Sequence, residues 1–453
     1  MGHALLCAAN VKHSLPPGRQ ATSLGRALAR SIASTYISSM LRRFGATRRH
    51  ARITSVACGA LSLVVASCVL TSDFEGLVGV DDSGSASVES SVNPPPTSCP
   101  IERADCNGFA GDGCEITLDS DRKHCGRCGH DCLAGACDRG TCRPFAVTDG
   151  QDVVSAVYAD DSSVYWITGD AAKVPQDIGR AGRLMKAPAD GSRGDVQFAT
   201  TYDGTGYSKD LLVGDSAQVF LAQRQYDHHH IFAFDKSGGG QANNILYRKG
   251  VAISPEFYQR QVVLDSSSIV YAGPVEIGMT SKVGSSVGFR LFAGSGEITR
   301  SIAVDDKFLF VLTSSTGDIV KIRKDIAQDA GAETPWASGQ LGGTALTTRA
   351  GEEFVYWVVP SVSEIRKLPR SGSGGEPTVF ADPDASPSEL ALDQVAVYWI
   401  AASAGEVSAL AKDGRGGTRV LASAQSNPRF LSIANRAIYW SVRNTAIYGV
   451  AKP

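Results

Sequence analysis

Seven times after residue 150 the chain repeats one short pattern, and no other feature restricts its fold so tightly. The copies are VYADDSSVYW ending at Trp166, LVGDSAQVF at Phe220, VLDSSSIVY at Tyr271, AVDDKFLF at Phe310, TRAGEEFVYW at Trp357, LALDQVAVYW at Trp399 and SIANRAIYW at Trp440. Each is an apolar run, a turn with Asp or Asn in most copies, and a second apolar run ending in an aromatic side chain. Short apolar runs split by turn residues are the signature of a β-hairpin. An isolated hairpin is at best marginally stable in water, so a series of them must stack. The copies stand roughly 40–55 residues apart, which is the period of a propeller blade.

A second turn signal follows inside the copies, as Asp235-Lys236-Ser237-Gly238, Pro369-Arg370-Ser371-Gly372 and Lys412-Asp413-Gly414. After it comes a short apolar strand, over 196–199, 378–381 or 419–422. Four strands per copy make one blade. The last copy stops at Lys452-Pro453, before a fourth strand, while Arg143-Pro-Phe-Ala-Val-Thr148 reads as an orphan strand. Pairing the two would close the ring and remove an aggregation-prone sheet edge. The expectation is an all-β fold with a β-propeller of about seven four-stranded blades over 143–453. The third copy, 262–296, is irregular, and the count falls to six if it forms no blade.

The Tyr-Trp pairs resemble the YWTD-type propellers of lipoprotein-receptor ectodomains. Here Trp166 is followed by Ile-Thr and Trp399 by Ile-Ala, so the full motif does not occur. The resemblance implies six blades, a binding or scaffold role and no catalytic residue.

Cysteines divide the rest of the chain. Cys7 and Cys58 lie near the start, Cys68 ends an apolar run, and Cys99, Cys106, Cys114, Cys125, Cys128, Cys132, Cys137 and Cys142 crowd into 99–142. So short a segment cannot build a sufficient apolar core, and crosslinks substitute for it. Eight cysteines allow on the order of 100 connectivities. The competing reading is zinc, since Cys125-Gly-Arg-Cys128 is flanked by His124 and His130. No second pair at matching spacing follows, and an exported chain disfavours free thiolates. The run DCNGFAGDGCEITLDSDRKHCGRCGHDC resembles a small module of exported myxobacterial proteins, where it stands between a lipoprotein signal and a repeat domain.

The N-terminal fifth reads as an address. Arg42, Arg43, Arg48, Arg49 and Arg52 precede an apolar stretch over 53–66 and small residues ending at Cys68. That order is a secretory signal, and Val65-Ala66-Ser67-Cys68 resembles the bacterial lipobox, which implies a lipid on Cys68. We read 1–39 as an extension ahead of a start at Met40, 40–67 as the signal peptide and 68–98 as a disordered tether rich in Ser, Pro and acidic residues. The chain is then anchored by lipid to the outer membrane or cell surface.

Chemistry is sparse. With a net charge of −2, nucleic acid is not an expected partner. His228 and His230 would share one face of a strand and are weak metal candidates. Asp160-Asp161, Asp305-Asp306 and Glu352-Glu353 recur at one turn of the repeat, which points to turn formation. No Gly-x-Ser-x-Gly elbow or phosphate loop occurs, no cofactor is expected, and no residue is assigned a catalytic role. The expectation is a non-catalytic surface protein that binds a protein or glycan at a propeller rim. The alternative is a lyase- or hydrolase-type enzyme with its site in the central channel.

Overall fold

Alternation along each strand decides how the repeats stack. A computed structural model describes residues 99–453 except 110, 170–181, 193, 202–210, 226–227, 238–241, 250–260, 273–275, 284–288, 294–298, 326–334 and 444. The expected extension, the signal peptide with Cys68, and the tether lie outside the described residues. After the cysteine module come seven antiparallel sheets of four strands, six of them ordered by sequence from the channel outward. Blade 1 runs from strand Val153–Ala159 to Val196–Thr201, blade 2 from Leu211–Gly214 to Ala242–Lys249, and blade 3 from Gln261–Leu264 to Phe289–Ala293. Blade 4 runs from Thr299–Val304 to Pro335–Ala337, blade 5 from Thr344–Thr347 to Thr378–Ala381, and blade 6 from Glu389–Leu392 to Arg419–Ala422. The irregular third copy forms a full blade, so the count is seven and not six.

Blade 7 supplies three strands, Pro428–Ile433, Ala437–Val442 and Ala446–Ala451. The orphan strand Phe145–Thr148 completes it, pairing Phe145 with Gly449 and Thr148 with Ile447. Each inner strand also lies against the inner strands of both neighbouring blades, round to blade 7 against blade 1.

Neighbouring residues on a strand point to opposite faces of its sheet. A Tyr-Trp pair on the second strand of a blade therefore serves two junctions at once. Tyr398 of blade 6 packs in one cluster with Trp440 of blade 7. Tyr439 of blade 7 shares another with Trp166 of blade 1, and Tyr165 meets Leu221 of blade 2. Phe220 meets Tyr271 at the next junction, Val270 meets Val311, and Phe310 meets Trp357. The sequence copies align Phe220 and Phe310 with Trp. Strand register instead puts both in the Tyr position, because Val219 faces Gly214 and Leu309 faces Val304 as Val164 faces Ala159.

Among its described residues the cysteine module contains two short two-stranded sheets, Arg103–Ala104 with Ile116–Thr117 and Cys137–Asp138 with Thr141–Cys142. Four disulfides hold it: Cys99–Cys114, Cys106–Cys128, Cys125–Cys137 and Cys132–Cys142. Cys125 and Cys132 are fully buried, so the bridges themselves form the small core.

Candidate functional site

A strand at a sheet edge presents a row of backbone groups without a ladder partner. Seven such edges surround the channel, which encloses a cavity of about 620 Å³. Side chains from the preceding blade occupy several of them. Ile302 donates its backbone N–H to Gln261 Oε1 at 2.7 Å, and Ser301 Oγ donates to the same oxygen at 3.0 Å. Leu346 N–H donates to Ser301 Oγ at 3.0 Å. Phe430 and Leu431 donate to the two oxygens of Glu389 at 3.0 and 2.7 Å, and Ala159 donates to Ser432 Oγ at 2.8 Å. These bonds cross the junctions 3/4, 4/5, 6/7 and 7/1. Buried amides need partners, and here the channel's polar side chains are the partners.

Among the described residues no histidine lines the channel, and its one carboxylate, Glu389, is engaged by two amides. Gln261, Ser301 and Ser432 are likewise held in place. Arg300 is exposed in the lining, which also includes Thr344, Thr347, Thr348 and Ser388. This set can hydrogen-bond a ligand. It does not assemble a nucleophile with a base, the arrangement covalent hydrolysis needs.

A second ring of polar contacts surrounds one rim. In blade 1, Asp160 Oδ1 accepts the backbone N–H groups of Ser162 and Ser163, both at 2.8 Å, closing the turn between the first two strands. Asp215, Asp265, Asp305 and Asp393 do the same in blades 2, 3, 4 and 6. The other oxygen takes a cation from the next blade. Lys236 reaches Asp160 at 2.6 Å, Lys282 reaches Asp215 at 2.9 Å, Lys324 reaches Asp265 at 2.5 Å, and Lys452 reaches Asp393 at 2.6 Å. Arg370 pairs with Asp305 at 2.8 Å, and Lys412 pairs with Glu352. The recurrent carboxylates do form turns, as expected; sequence reading missed that they also join blades. A basic residue in one slot of six copies was the available signal.

For Asp160, Asp215, Asp265 and Asp393, burial by itself would raise the pKa. The lysine of the next blade and the turn N–H groups outweigh it, so all four carboxyls titrate below the usual range. Burial and nearby carboxylates push the hydroxyls of Tyr158, Tyr356, Tyr398 and Tyr439 upward, which keeps them protonated donors.

The seventh junction has neither partner. Ala434 N–H bonds Ala437 O as Asp160 N–H bonds Ser163 O, and Ala189 N–H bonds Ser162 O as Lys236 N–H bonds Ala217 O. Both slots of the ion pair thus hold alanine. The cysteine module docks here instead. His130 bridges Cys125 O at 2.6 Å and Lys452 O at 2.7 Å, and Asp131 pairs with Arg436 at 3.1 Å. Leu133 and Phe145 pack with Ala189, Ala434 and Tyr439, while Asn435 donates twice to Asp161 at 2.7 and 2.5 Å.

Of the two histidines read as metal candidates, the structure describes one side chain. His230 sits on strand His228–Asp235, 8% exposed and stacked on Phe232 with ring centres 5.3 Å apart. The side chain of His228 lies outside the described residues. Cys106, His124 and Cys128 do lie within ligand distance of one another, as do Cys125, Cys132 and Cys142. Their sulfurs are tied in disulfides, and zinc binds the thiolate.

No protein-family model matches the chain, and no curated protein matches it. Solved structures do. A streptogramin B lyase is 12% identical with a TM-score of 0.50, over 68% of this chain and 96% of that one. The virginiamycin B lyase of Staphylococcus aureus is 14% identical with a TM-score of 0.48, over 69% and 99%. A chain of a nidogen/laminin complex is 15% identical with a TM-score of 0.39, over 51% and 85%. At such identities the likeness is one of fold.

Proposed function

We propose that the chain is an exported, lipid-anchored, non-catalytic binding or scaffold protein that offers the rims of its ring to a protein or glycan. One observation carries the reading: the channel's carboxylate, amide and two of its serines are engaged by backbone amides or one another across blade junctions. Such groups are held as architecture, and removing one as a reactant would open the ring. The anchor rests on the signal-like segment before Cys68 and the disulfide-rich module after it.

Two measurements test this. Intact mass of the protein from its native envelope should show a lipid-modified chain starting at Cys68, with eight thiols appearing only on reduction. Photo-crosslinkers placed on the two rims of the anchored chain should trap a cell-surface component. The reading fails if neither rim gives a crosslink on intact cells.

The second reading is an enzyme working in the channel, favoured by a cavity of about 620 Å³ in a fold shared with a streptogramin B lyase. Time-dependent loss of a streptogramin B on incubation with the purified chain would support it. An unchanged compound removes that activity.

A further inference from the structure

His130 faces two carbonyl oxygens. Its Nδ1 lies 2.6 Å from Cys125 O inside the cysteine module, and its Nε2 lies 2.7 Å from Lys452 O at the end of blade 7. A carbonyl oxygen only accepts, so each contact is a hydrogen bond only where the ring nitrogen carries a hydrogen. Neutral imidazole has one such hydrogen and imidazolium has two. At one of the two places the neutral ring would set a bare lone pair against a carbonyl oxygen. Both bonds together therefore select the imidazolium, and bonds from a charged donor are the stronger kind.

The two ends of this bridge belong to different parts of the fold. Cys125 is fully buried and joined to Cys137 at the centre of the module. Lys452 follows the last strand of blade 7, Ala446–Ala451, and its ammonium closes junction 6/7 on Asp393 at 2.6 Å. Phe145–Thr148 pairs with that same strand to complete the ring. His130 is half-buried, so water can still exchange its protons.

The charged groups around it are already paired. Burial raises the pKa of Asp131, but Lys123 and the Leu133 N–H outweigh it, so that carboxyl titrates below the usual range. From blade 7 come the Lys452 ammonium, turned to Asp393, and the Arg436 guanidinium, turned to Asp131. Nε2 also stands 3.9 Å from Cys142 Sγ, which is tied to Cys132 and does not titrate. His124, the module's other histidine, has the reverse requirement. Its Nδ1 accepts the Gly129 N–H at 3.2 Å and must be bare to do so.

We propose that His130 is a pH-operated latch on the ring closure. Protonated, it clamps the cysteine module onto the last strand of blade 7. Deprotonated, it releases one end, and the closure loosens. A state that needs the extra proton is favoured as pH falls, so acid tightens this junction while it weakens the carboxylate pairs of the others. The latch requires neither the lipid anchor nor a rim partner.

The test is hydrogen exchange on the full chain between about pH 6 and about pH 8, the range in which histidine changes charge, with protection corrected for the intrinsic effect of pH. As pH rises, Ala446–Ala451 and Phe145–Thr148 should lose about tenfold in protection, one hydrogen bond's worth. Blades 4 and 5, which contain no histidine, should not change. His124→Gln should keep the response, and His130→Gln should abolish it, with low protection at both pH values. If His130→Gln does not fold, a response kept by His124→Gln still assigns it to His130, since the module and blade 7 hold no third histidine. Equal protection at both pH values in the unaltered chain overturns the latch. So does a response that His130→Gln retains or His124→Gln removes. A loss shared equally by blades 4 and 5 is a global change in stability and overturns it too.

Discussion

Six junctions of the ring are joined by a carboxylate and a cation, and the seventh by two alanines under a disulfide-knotted module. The six lie between blades made of consecutive chain, where each turn already positions a carboxylate and the next blade presents its lysine or arginine. At the seventh, blade 7 is assembled from both ends of the ring sequence, and the strand that completes it leads straight out of the cysteine module. The module packs tightly beside the slot that holds a lysine in other blades: a Cβ added at Gly191, two residues past Ala189, would stand 2.6 Å from both Ala134 and Phe145. At the closure, apolar packing and covalent crosslinks, with the partly exposed Asp131–Arg436 pair, take the place of the turn ion pair. The two kinds of junction should therefore fail under different stresses.

The largest contrast should come from Arg370→Met. It leaves Asp305, whose side chain is fully buried, without its cation, and breaking a buried pair costs about 3–5 kcal/mol. Chemical denaturation would show this as a lower midpoint with an unchanged slope; an unchanged midpoint would mean that the ion pairs are incidental to stability. Replacing Cys132 and Cys142 together by alanine should cost about 2–4 kcal/mol, and hydrogen exchange should rise first in Phe145–Thr148 and Ala446–Ala451. Exchange rising first at another junction would sever the module from ring closure.

Acid should separate the two kinds of junction without mutation. The folded pKa values of Asp160, Asp215, Asp265 and Asp393 are lowered. Their stabilisation is therefore complete above the unfolded value of about 3.9 and is lost as pH falls through the folded values. On going from pH 5 to pH 2, at roughly constant ionic strength, exchange should increase at junctions 1/2, 2/3, 3/4 and 6/7 before the closure between blades 7 and 1. Simultaneous loss at all seven would refute the distinction. The smallest effect belongs to Asn435→Ala, which removes the exposed side-chain hydrogen bond from Asn435 Nδ2 to Asp161 at the closure, keeps the backbone one, and should cost about 1 kcal/mol or less. Its thermal melt should shift less than that of Arg370→Met; an equal shift would place the main strength of the closure in this contact.

Much of the fold was legible in the sequence because its causes are local. An Asp two or three residues ahead of the N–H groups it accepts makes a turn wherever it occurs, and alternating apolar residues make the strands on either side. The orphan strand before Val153 could be matched to the unfinished last copy by counting. Reading the core register was harder. Phe220 and Phe310 look like the Trp of other copies because all end an apolar run, and only the ladder shows that they hold the Tyr position. The arc of blades 5, 6, 7 and 1 keeps Tyr-Trp, whereas blades 2, 3 and 4 replace it with Phe220-Leu221, Val270-Tyr271 and Phe310-Val311. Each junction takes one side chain from each blade, so a change on one strand is accommodated by two neighbours and blurs the repeat. The break in blade 5 was not legible at all: TRAGEEFVYW reads as one more hairpin, and only the strand register shows Gly351 where five other blades place an Asp.

By itself the sequence determined the blade period, the four-strand blade, the strand that completes the ring and the reliance of 99–142 on cysteine crosslinks. Each follows from turn chemistry, alternation or composition within a few residues of chain. Tertiary structure alone decided which cysteines join, that seven blades close, that each turn carboxylate meets a cation 59 to 76 residues further on, and that the closure needs none. Those outcomes depend on which face of one sheet meets the next, and that is set only when the whole ring is in place.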